Sequence, residues 1–156
     1  MTADRFLRII RRFDATPERV FDAWLNPATA RKWLFTSPAD ETYTAELDAR
    51  VGGKWTITAR RGGIDYTGSG EYLEIDRPRR LVFTFAMLQF SPNSDRITVE
   101  IAPAGSGCIL TLTQAGIDIA DELRQLPPGV EGGTEKGWND MFDALAAALG
   151  DASEYE

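Results

Sequence analysis

Three side chains on segments with strand-like alternation are candidates for acid–base or oxyanion chemistry: Arg11, Tyr66 and Glu71. An inward-facing Glu71 among apolar neighbours would have a raised pKa and serve as a general acid or base. Tyr66 or Arg11 would then supply an acid–base or oxyanion group. Alternation leaves the faces of Tyr66 and Glu71 open, because the segment 68–70 (GSG) marks either a bulge, which would flip the parity, or a close backbone approach.

Other catalytic machinery is excluded by composition, because the 156 residues contain no histidine and one cysteine, Cys108. Ser-His-Asp and Cys-His nucleophilic sites and histidine zinc sites are therefore ruled out. A lone cysteine forms neither an intrachain disulfide nor a Cys-rich metal cluster, and it predicts a cytoplasmic location. Cys108 begins a predicted strand just after a turn, where we expect an inert, partly buried thiol. No carboxylate pair has a spacing that fixes hydrolytic geometry, and we expect no metal and no cofactor.

The charge balance narrows the partners. The sequence has 24 acidic and 17 basic residues, a formal net charge of −7. A nucleic-acid partner is disfavoured, because such proteins need a basic face. No apolar run approaches the length of about 18 residues that a membrane span requires, and the N-terminus has no long apolar region of the signal-peptide kind. We expect no membrane insertion.

Inward-facing polar residues are the most informative positions. Gln114 continues the parity of Leu110 and Leu112, and Arg11 continues that of Ile9 and Phe13. A buried polar group needs a partner or a ligand, so each either orients a ligand oxygen or reaches solvent or a backbone carbonyl from a strand end.

Apolar ligand contacts are predicted at the inward positions near the open end of a cavity, for which core packing is the simpler competing interpretation. The full set of candidate ligand-binding residues is Trp33, Phe35, Trp55, Tyr66, Phe83, Phe85, Met87, Phe90, Leu112, Gln114, Trp138, Met141 and Phe142.

Period-two alternation, broken by turn residues such as the glycine pairs at 52–53 and 62–63, predicts the strands. They lie at 5–13, 42–48, 53–60, 64–75, 80–87, 96–103 and 107–115. Thr16 followed by Pro17 predicts the start of a helix over 17–25, and a second short helix follows at 28–33. Asp118 is expected to cap a short helix ended by 127–129 (PPG), and 130–137 forms a loop or a helix start. The apolar stripe from Trp138 to Leu149 predicts a long terminal helix.

These elements predict one α+β domain over residues 1–156, with 151–156 as a disordered acidic tail. A curved antiparallel sheet of six or seven strands must bury one face, and the only long apolar helix is the last. A strongly curved sheet wrapped on a helix leaves space between them, which is where such folds hold apolar ligands.

Residues 13–24 (FDATPERVFDAW), with Asn26-Pro27 and 31–33 (RKW), resemble the opening of the START-like, helix-grip proteins. Within that superfamily they are most similar to the Aha-type group, named after activators of a heat-shock-protein ATPase. Later blocks occur in the family's order: 50–55 (RVGGKW), 70–85, 107–114 (GCILTLTQ) and Gly137-Trp138. The resemblance covers about residues 5–149 and implies the helix-grip fold.

The resemblance implies no single activity, because the superfamily includes ligand binders, cyclases, aromatases and co-chaperone domains. Many Aha-type members have histidine where this chain has Gln114, which favours binding over proton chemistry. The leading hypothesis is a domain that binds a small hydrophobic or aromatic molecule without converting it. The alternatives are a cyclase-, aromatase- or hydrolase-like enzyme using Glu71, Tyr66 or Arg11, and a co-chaperone-like interaction module with a chaperone partner. Assembly into a homodimer is left open.

Overall fold

The computed structural model describes residues 5–154 as a single antiparallel sheet with four helices. The elements in chain order are β1 Phe6–Phe13, α1 Pro17–Leu25, α2 Pro27–Ala30, β2 Thr42–Leu47, β3 Lys54–Arg61, β4 Ile64–Asp76, β5 Arg80–Phe85, β6 Asp95–Ala104, β7 Gly107–Ala115, α3 Ile117–Gln125 and α4 Gly133–Glu154. The seven strands lie in the order β1-β7-β6-β5-β4-β3-β2, and every neighbouring pair is antiparallel. The predicted α+β class is confirmed.

The first helix forms where the cap chemistry predicts it. The Thr16 hydroxyl accepts a hydrogen bond from the Arg19 backbone N–H at 3.2 Å, and Pro17 occupies the first turn. The second helix is shorter than predicted, because regular α2 ends at Ala30 instead of 33. Turns continue to Phe35, whose φ of +53° redirects the chain, and Trp33 is fully buried as expected.

The glycines of β4 mark a close approach and not a bulge. The β3–β4 register runs without a break through the pairs Trp55–Gly70 and Ile57–Gly68, and the shift in register lies further on, between Tyr72 and Glu74. A Cβ on Gly70 would lie 1.8 Å from the Thr84 carbonyl oxygen. Glycine is required there because the Thr84 carbonyl of the neighbouring strand β5 occupies the position that a Cβ would take.

Strand β5 is shorter than predicted and ends at Phe85. Beyond it, Ala86 forms only an isolated bridge with Ser69. The chain then leaves the sheet through a turn containing the exposed side chains of Leu88 and Phe90.

The last two helices begin earlier than expected. Helix α3 begins at Ile117 after the cap residue Gly116, and Asp118 lies in its first turn, so the prediction that Asp118 caps it is wrong. Helix α4 begins at Gly133, within the segment that the sequence leaves open as a loop or a helix start. Its first turn is fixed by Glu122 of α3, which accepts hydrogen bonds from the Thr134 hydroxyl at 2.6 Å and backbone N–H at 3.3 Å. Of the predicted acidic tail, residues 155–156 lie outside the described residues.

The core is densest where α1 and α4 cover β6, β7 and β1. Four rings, none more than 2% exposed, form a block with centroid separations from 4.7 to 6.2 Å. They are Trp24, Trp33, Trp138 and Phe142. Edge-to-face and offset contacts of this kind stabilise the core beyond simple burial. The other half of the concave face, on β3, β4 and β5, is not filled in this way.

Candidate functional site

A cavity of about 880 Å³ lies between the concave face of β3–β5 and the first half of α4. Its sheet wall is formed by Ile57, Ala59 and Tyr66, and its helix wall by Met141 and Ala144. The chain after α2, residues 32–38, closes one side. The volume lies within the range of about 300–1,000 Å³ that is typical of small-molecule sites.

Three nearly parallel rings form the inner part of this region. Phe35 stacks on Trp55 at 5.5 Å and on Phe85 at 5.0 Å, with interplanar angles of 8° and 13°. The Cβ of any larger residue at Gly68 would lie 3.2 Å from the Phe85 ring, so glycine keeps this face of β4 low enough for the rings. The arrangement presents flat aromatic surface to the cavity through Phe35 and Phe85.

Phe35, the central ring of this stack, has an uncommon backbone conformation. Its φ of +53° lies in the left-handed region, which costs a residue with a Cβ on the order of 1 kcal/mol or more. Its backbone N–H points to the Met141 sulfur on α4 at 3.1 Å. The loop after α2 is thereby tied to the opposite wall of the cavity.

Arg61, Tyr66 and Phe90 form an aromatic and basic side of the cavity. The Arg61 guanidinium lies over the Tyr66 ring at 5.4 Å, within cation–π range, and Tyr66 packs on Phe90 at 6.0 Å. The Nε of Arg61 donates to Asp40. Burial raises the pKa of Asp40, but hydrogen bonds from Arg61, from the Ser37 backbone N–H and from a nearby threonine hydroxyl outweigh it and hold that pKa below its usual value.

The other charged lining residues are Lys32, Asp140 and Asp143. Asp140 forms an ion pair with Lys136 at 2.9 Å, and Asp143 forms one with Arg11 at 2.7 Å. Lys32 forms no ion pair with a carboxylate among residues 5–150, the part of the chain whose side chains the structure describes. The cavity mouth is therefore polar while its interior is apolar.

A second cavity of about 180 Å³ adjoins the first and shares Phe85, Met87 and Phe90 with it. Its polar wall includes Gln114 and Asp95, which are 4% and 6% exposed. Gln114 donates from Nε2 to Asp95 Oδ2 at 2.8 Å and accepts from Trp138 Nε1 at 2.8 Å. Gln114 therefore joins a strand to α4 by two buried hydrogen bonds.

Asp95 is the one buried carboxyl group of this network. Burial raises the pKa of Asp95, and the negative charge of Asp118 raises it as well. The hydrogen bond from Gln114 lowers it, but the net direction is upward. Its second oxygen, Oδ1, is buried without a hydrogen bond of normal geometry to any described group. It lies at the start of α3, where a Cβ on Gly116 would meet it at 2.0 Å, so the carboxyl group faces the positive end of that helix.

The predicted ligand-binding residues fall into two groups. Six line the large cavity: Phe35, Tyr66, Phe85, Met87, Phe90 and Met141. The other seven do not: Trp33, Leu112, Trp138 and Phe142 are core residues, Trp55 is the buried member of the ring stack, Phe83 packs edge-on against Trp55, and Gln114 lines the small cavity. Their side chains are fully used in packing or hydrogen bonding, so any contact of these seven with a ligand stays a prediction.

The three candidate catalytic residues are not brought together. Tyr66 faces the cavity, whereas Glu71 lies five residues further along the same unbroken strand and so on the opposite face. There Glu71 forms an ion pair with the exposed Lys54, with 3.6 Å between Lys54 Nζ and Glu71 Oε1. Arg11 is committed to Asp143 and does not line the cavity.

Sequence reasoning missed Lys32, Arg61 and Ala144 as cavity residues and Asp95 as the partner of Gln114. Alternation places Ala59 on the inward face with Trp55 and Ile57, although Ala59 is not among the candidate ligand contacts. Arg61 continues the same parity, so the alternation that singled out Gln114 could have found it. Lys32 and Asp95 have no such signal. Lys32 lies in the turns after α2, and Asp95 is the first residue of β6.

Cys108 is completely buried, and burial raises the pKa of its thiol, as expected for an inert cysteine. Among the side chains that the structure describes, those of residues 5–150, no group of three or more acidic or cysteine side chains is placed to hold a metal ion. In the same part of the chain, no helix is long and apolar enough to cross a membrane.

An antiparallel sheet of seven strands, two short helices after the first strand and a long C-terminal helix over a cavity together define a START-like, helix-grip fold. The sequence matches, over residues 14–150, the model of the family described as activator of Hsp90 ATPase homolog 1-like protein, and the chain belongs to that family.

Solved structures agree with this assignment. A protein from Chromobacterium violaceum is 30% identical with a TM-score of 0.75, covering 92% of this chain and 96% of its own. A protein from Rhizobium loti is 29% identical with a TM-score of 0.71, covering 94% and 98%. An AHSA1-like protein from Aeromonas hydrophila has the same fold, with 19% identity, a TM-score of 0.75 and coverage of 96% and 94%. No curated protein matches the sequence at a significant level.

Proposed function

We propose that this protein binds a small hydrophobic or aromatic molecule in the cavity beneath α4 and does not convert it. The observation that carries the proposal is the cavity of about 880 Å³ beside a block of buried, mutually packed aromatic rings. Apolar space of this size is costly to leave open to water, because its aromatic lining loses both packing and burial. The family's fold commonly binds hydrophobic ligands, which supports the same conclusion.

Binding is favoured over catalysis by the positions of the candidate catalytic groups. Glu71 lies on the outer face of the sheet, and Arg11 is neutralised by Asp143. Of the three candidates only Tyr66 faces the cavity, and a general acid–base site needs its groups within hydrogen-bond reach of one another or of a shared substrate.

The test is a fluorescence titration with the neutral dye N-phenyl-1-naphthylamine on the full chain. Ala144→Phe places a ring inside the cavity, and the matched control Ala147→Phe adds the same ring on an exposed face of α4. We expect saturable binding at one site per chain, a loss of at least tenfold in affinity for Ala144→Phe, and no change for Ala147→Phe. Ala59→Leu, on the sheet wall, is the second blocking variant if Ala144→Phe does not fold.

Native mass spectrometry of the purified chain gives an independent readout, because a co-purified apolar molecule should be present in the wild type and absent from the blocked variant. A folded Ala144→Phe protein that binds the dye like the wild type would overturn the proposal. Turnover of a candidate substrate that persists in Glu71→Gln would exclude Glu71 from any reaction in this protein.

A further inference from the structure

We propose that the molecule bound in this cavity is an amphipathic anion, an apolar body carrying one carboxylate-like group, and that Lys32 binds that group. This inference rests on the proposed function and names the chemical class of its ligand. It follows from which charges around the cavity are already neutralised and which are not.

Four charged side chains line the cavity, and three of them are paired within the protein. Arg61 is paired with Asp40, whose side chain is only 7% exposed. Asp140 is paired with Lys136 and Asp143 with Arg11. Lys32 is the remaining charged residue, and it forms no ion pair with a carboxylate of the described residues. The local sum is therefore one positive charge, although the whole chain carries −7.

The sign of this local charge decides which ligand the cavity favours. A cationic ligand would meet only carboxylates that already have partners, together with the repulsion of Lys32. A neutral ligand would cover the approach to Lys32 and desolvate its ammonium group without replacing the lost water contacts. An anion offers Lys32 a charge-assisted hydrogen bond, which is about twice as strong as a neutral one. The distributed negative charge of the chain opposes this only weakly beyond the Debye length of about 8 Å at physiological salt.

Arg61 and Tyr66 provide further hydrogen-bond donors on the sheet wall of the cavity. The hydrogen bond that Arg61 forms with Asp40 uses Nε, and a guanidinium has four more N–H groups on its two terminal nitrogens. The central carbon of the Arg61 guanidinium lies 5.4 Å from the centroid of the Tyr66 ring. The Tyr66 hydroxyl makes no hydrogen bond to the described residues in the structure. These donors suit oxygen atoms of a ligand, whereas Phe35, Phe85 and Met141 suit its apolar body.

The experiment compares 2-naphthylacetate with its methyl ester, which have the same aromatic body and differ in charge, by isothermal titration calorimetry on the full chain. In the wild type we expect the acid to bind at least tenfold more tightly than the ester. In Lys32→Gln the preference should fall to twofold or less, with the affinity for the ester unchanged. The preference in the wild type should also decrease as salt is raised.

Lys54→Gln is the matched control, because it removes the same charge from the outer face of the sheet, where Lys54 lies 3.6 Å from Glu71. It should leave the preference intact. Lys136→Gln should weaken binding of the acid, because it leaves the carboxylate of Asp140 unpaired at the cavity.

Three outcomes overturn the inference. These are equal binding of acid and ester in the wild type, a loss in Lys54→Gln as large as in Lys32→Gln, or tighter binding of 2-naphthylethylamine than of the acid. In each case the proposed function stands as long as the neutral dye binds and Ala144→Phe blocks it. If the dye and both naphthyl probes fail to bind the wild type, the proposed function fails as well.

Discussion

The indole N–H of Trp138 on α4 donates to the side-chain oxygen of Gln114 on β7 at 2.8 Å, in a region where both residues are almost completely buried. Gln114 also donates to Asp95 on β6, so one amide satisfies a donor on the helix and an acceptor on the sheet. These two hydrogen bonds explain why a polar residue, Gln114, faces inward without a ligand.

Removing this amide should destabilise the protein. Gln114→Leu leaves the Trp138 N–H and one Asp95 oxygen buried without partners, and each such group costs about 1–3 kcal/mol. We expect the free energy of unfolding, measured by urea denaturation, to fall by about 3 kcal/mol. The control Gln125→Leu, on the exposed end of α3, should change it by less than about 0.5 kcal/mol. Equal effects of the two substitutions would contradict this role of Gln114.

Asp95 should give the stability a defined pH dependence. Burial raises its folded-state pKa above the 3.8 of the unfolded chain, so the native state keeps the proton to higher pH than the unfolded state does. Stability contributed by this group is therefore present at low pH and lost as pH rises from about 3.8 to the folded pKa.

Asp95→Asn removes the ionisation while retaining an oxygen that can accept from Gln114. The difference in unfolding free energy between Asp95→Asn and the wild type should shift in favour of the variant as pH rises through that window, measured by urea denaturation at each pH. A difference that stays constant with pH would show that Asp95 ionises normally in the folded protein.

Two glycine substitutions should have opposite effects. Gly70→Ala places a Cβ 1.8 Å from the Thr84 carbonyl oxygen, which forces the backbone of β4 or β5 to move and should cost about 3 kcal/mol. Gly150→Ala adds a methyl group in open space on α4 and should gain up to about 1 kcal/mol through helix propensity. Thermal unfolding followed by circular dichroism distinguishes the two. A folded Gly70→Ala protein with unchanged stability would mean that the strands lie further apart.

Cys108 should react only when the protein unfolds. Its thiol is fully buried, and its pKa is raised by burial, so at neutral pH the reactive thiolate is scarce and inaccessible. Iodoacetamide labelling followed by mass spectrometry should be negligible in native buffer and complete in urea. Rapid labelling of the native chain would require β7 to open near Gly107.

The sequence predicted the sheet well because alternation reports directly on a face that must be buried. The strand over 107–115 coincides with β7, and the Thr16-Pro17 cap placed α1 correctly. It left the structure open where a distant residue decides it. Helix α4 begins at Gly133 because Glu122, eleven residues earlier, holds Thr134, and no local pattern carries that information.

The candidate site could be predicted only in part for a related reason. Parity shows that Trp55 and Phe83 face inward, but it does not show whether an inward side chain meets another ring or an open space. Trp33 and Phe142 fill the core by stacking on each other at 6.1 Å, whereas Phe35, two residues beyond Trp33, lines the cavity. The difference depends on the left-handed turn at Phe35, which a residue with a Cβ seldom adopts.

The large and small cavities adjoin each other at a shared set of lining residues. Phe85, Met87 and Phe90 line both of them, and among these Met87 has the most adaptable shape. A rotamer change or a single substitution among these three shared residues would join the two spaces while leaving every strand pairing intact. We therefore expect a substitution at any of these three positions to change the length of the available space without changing the register of the strands.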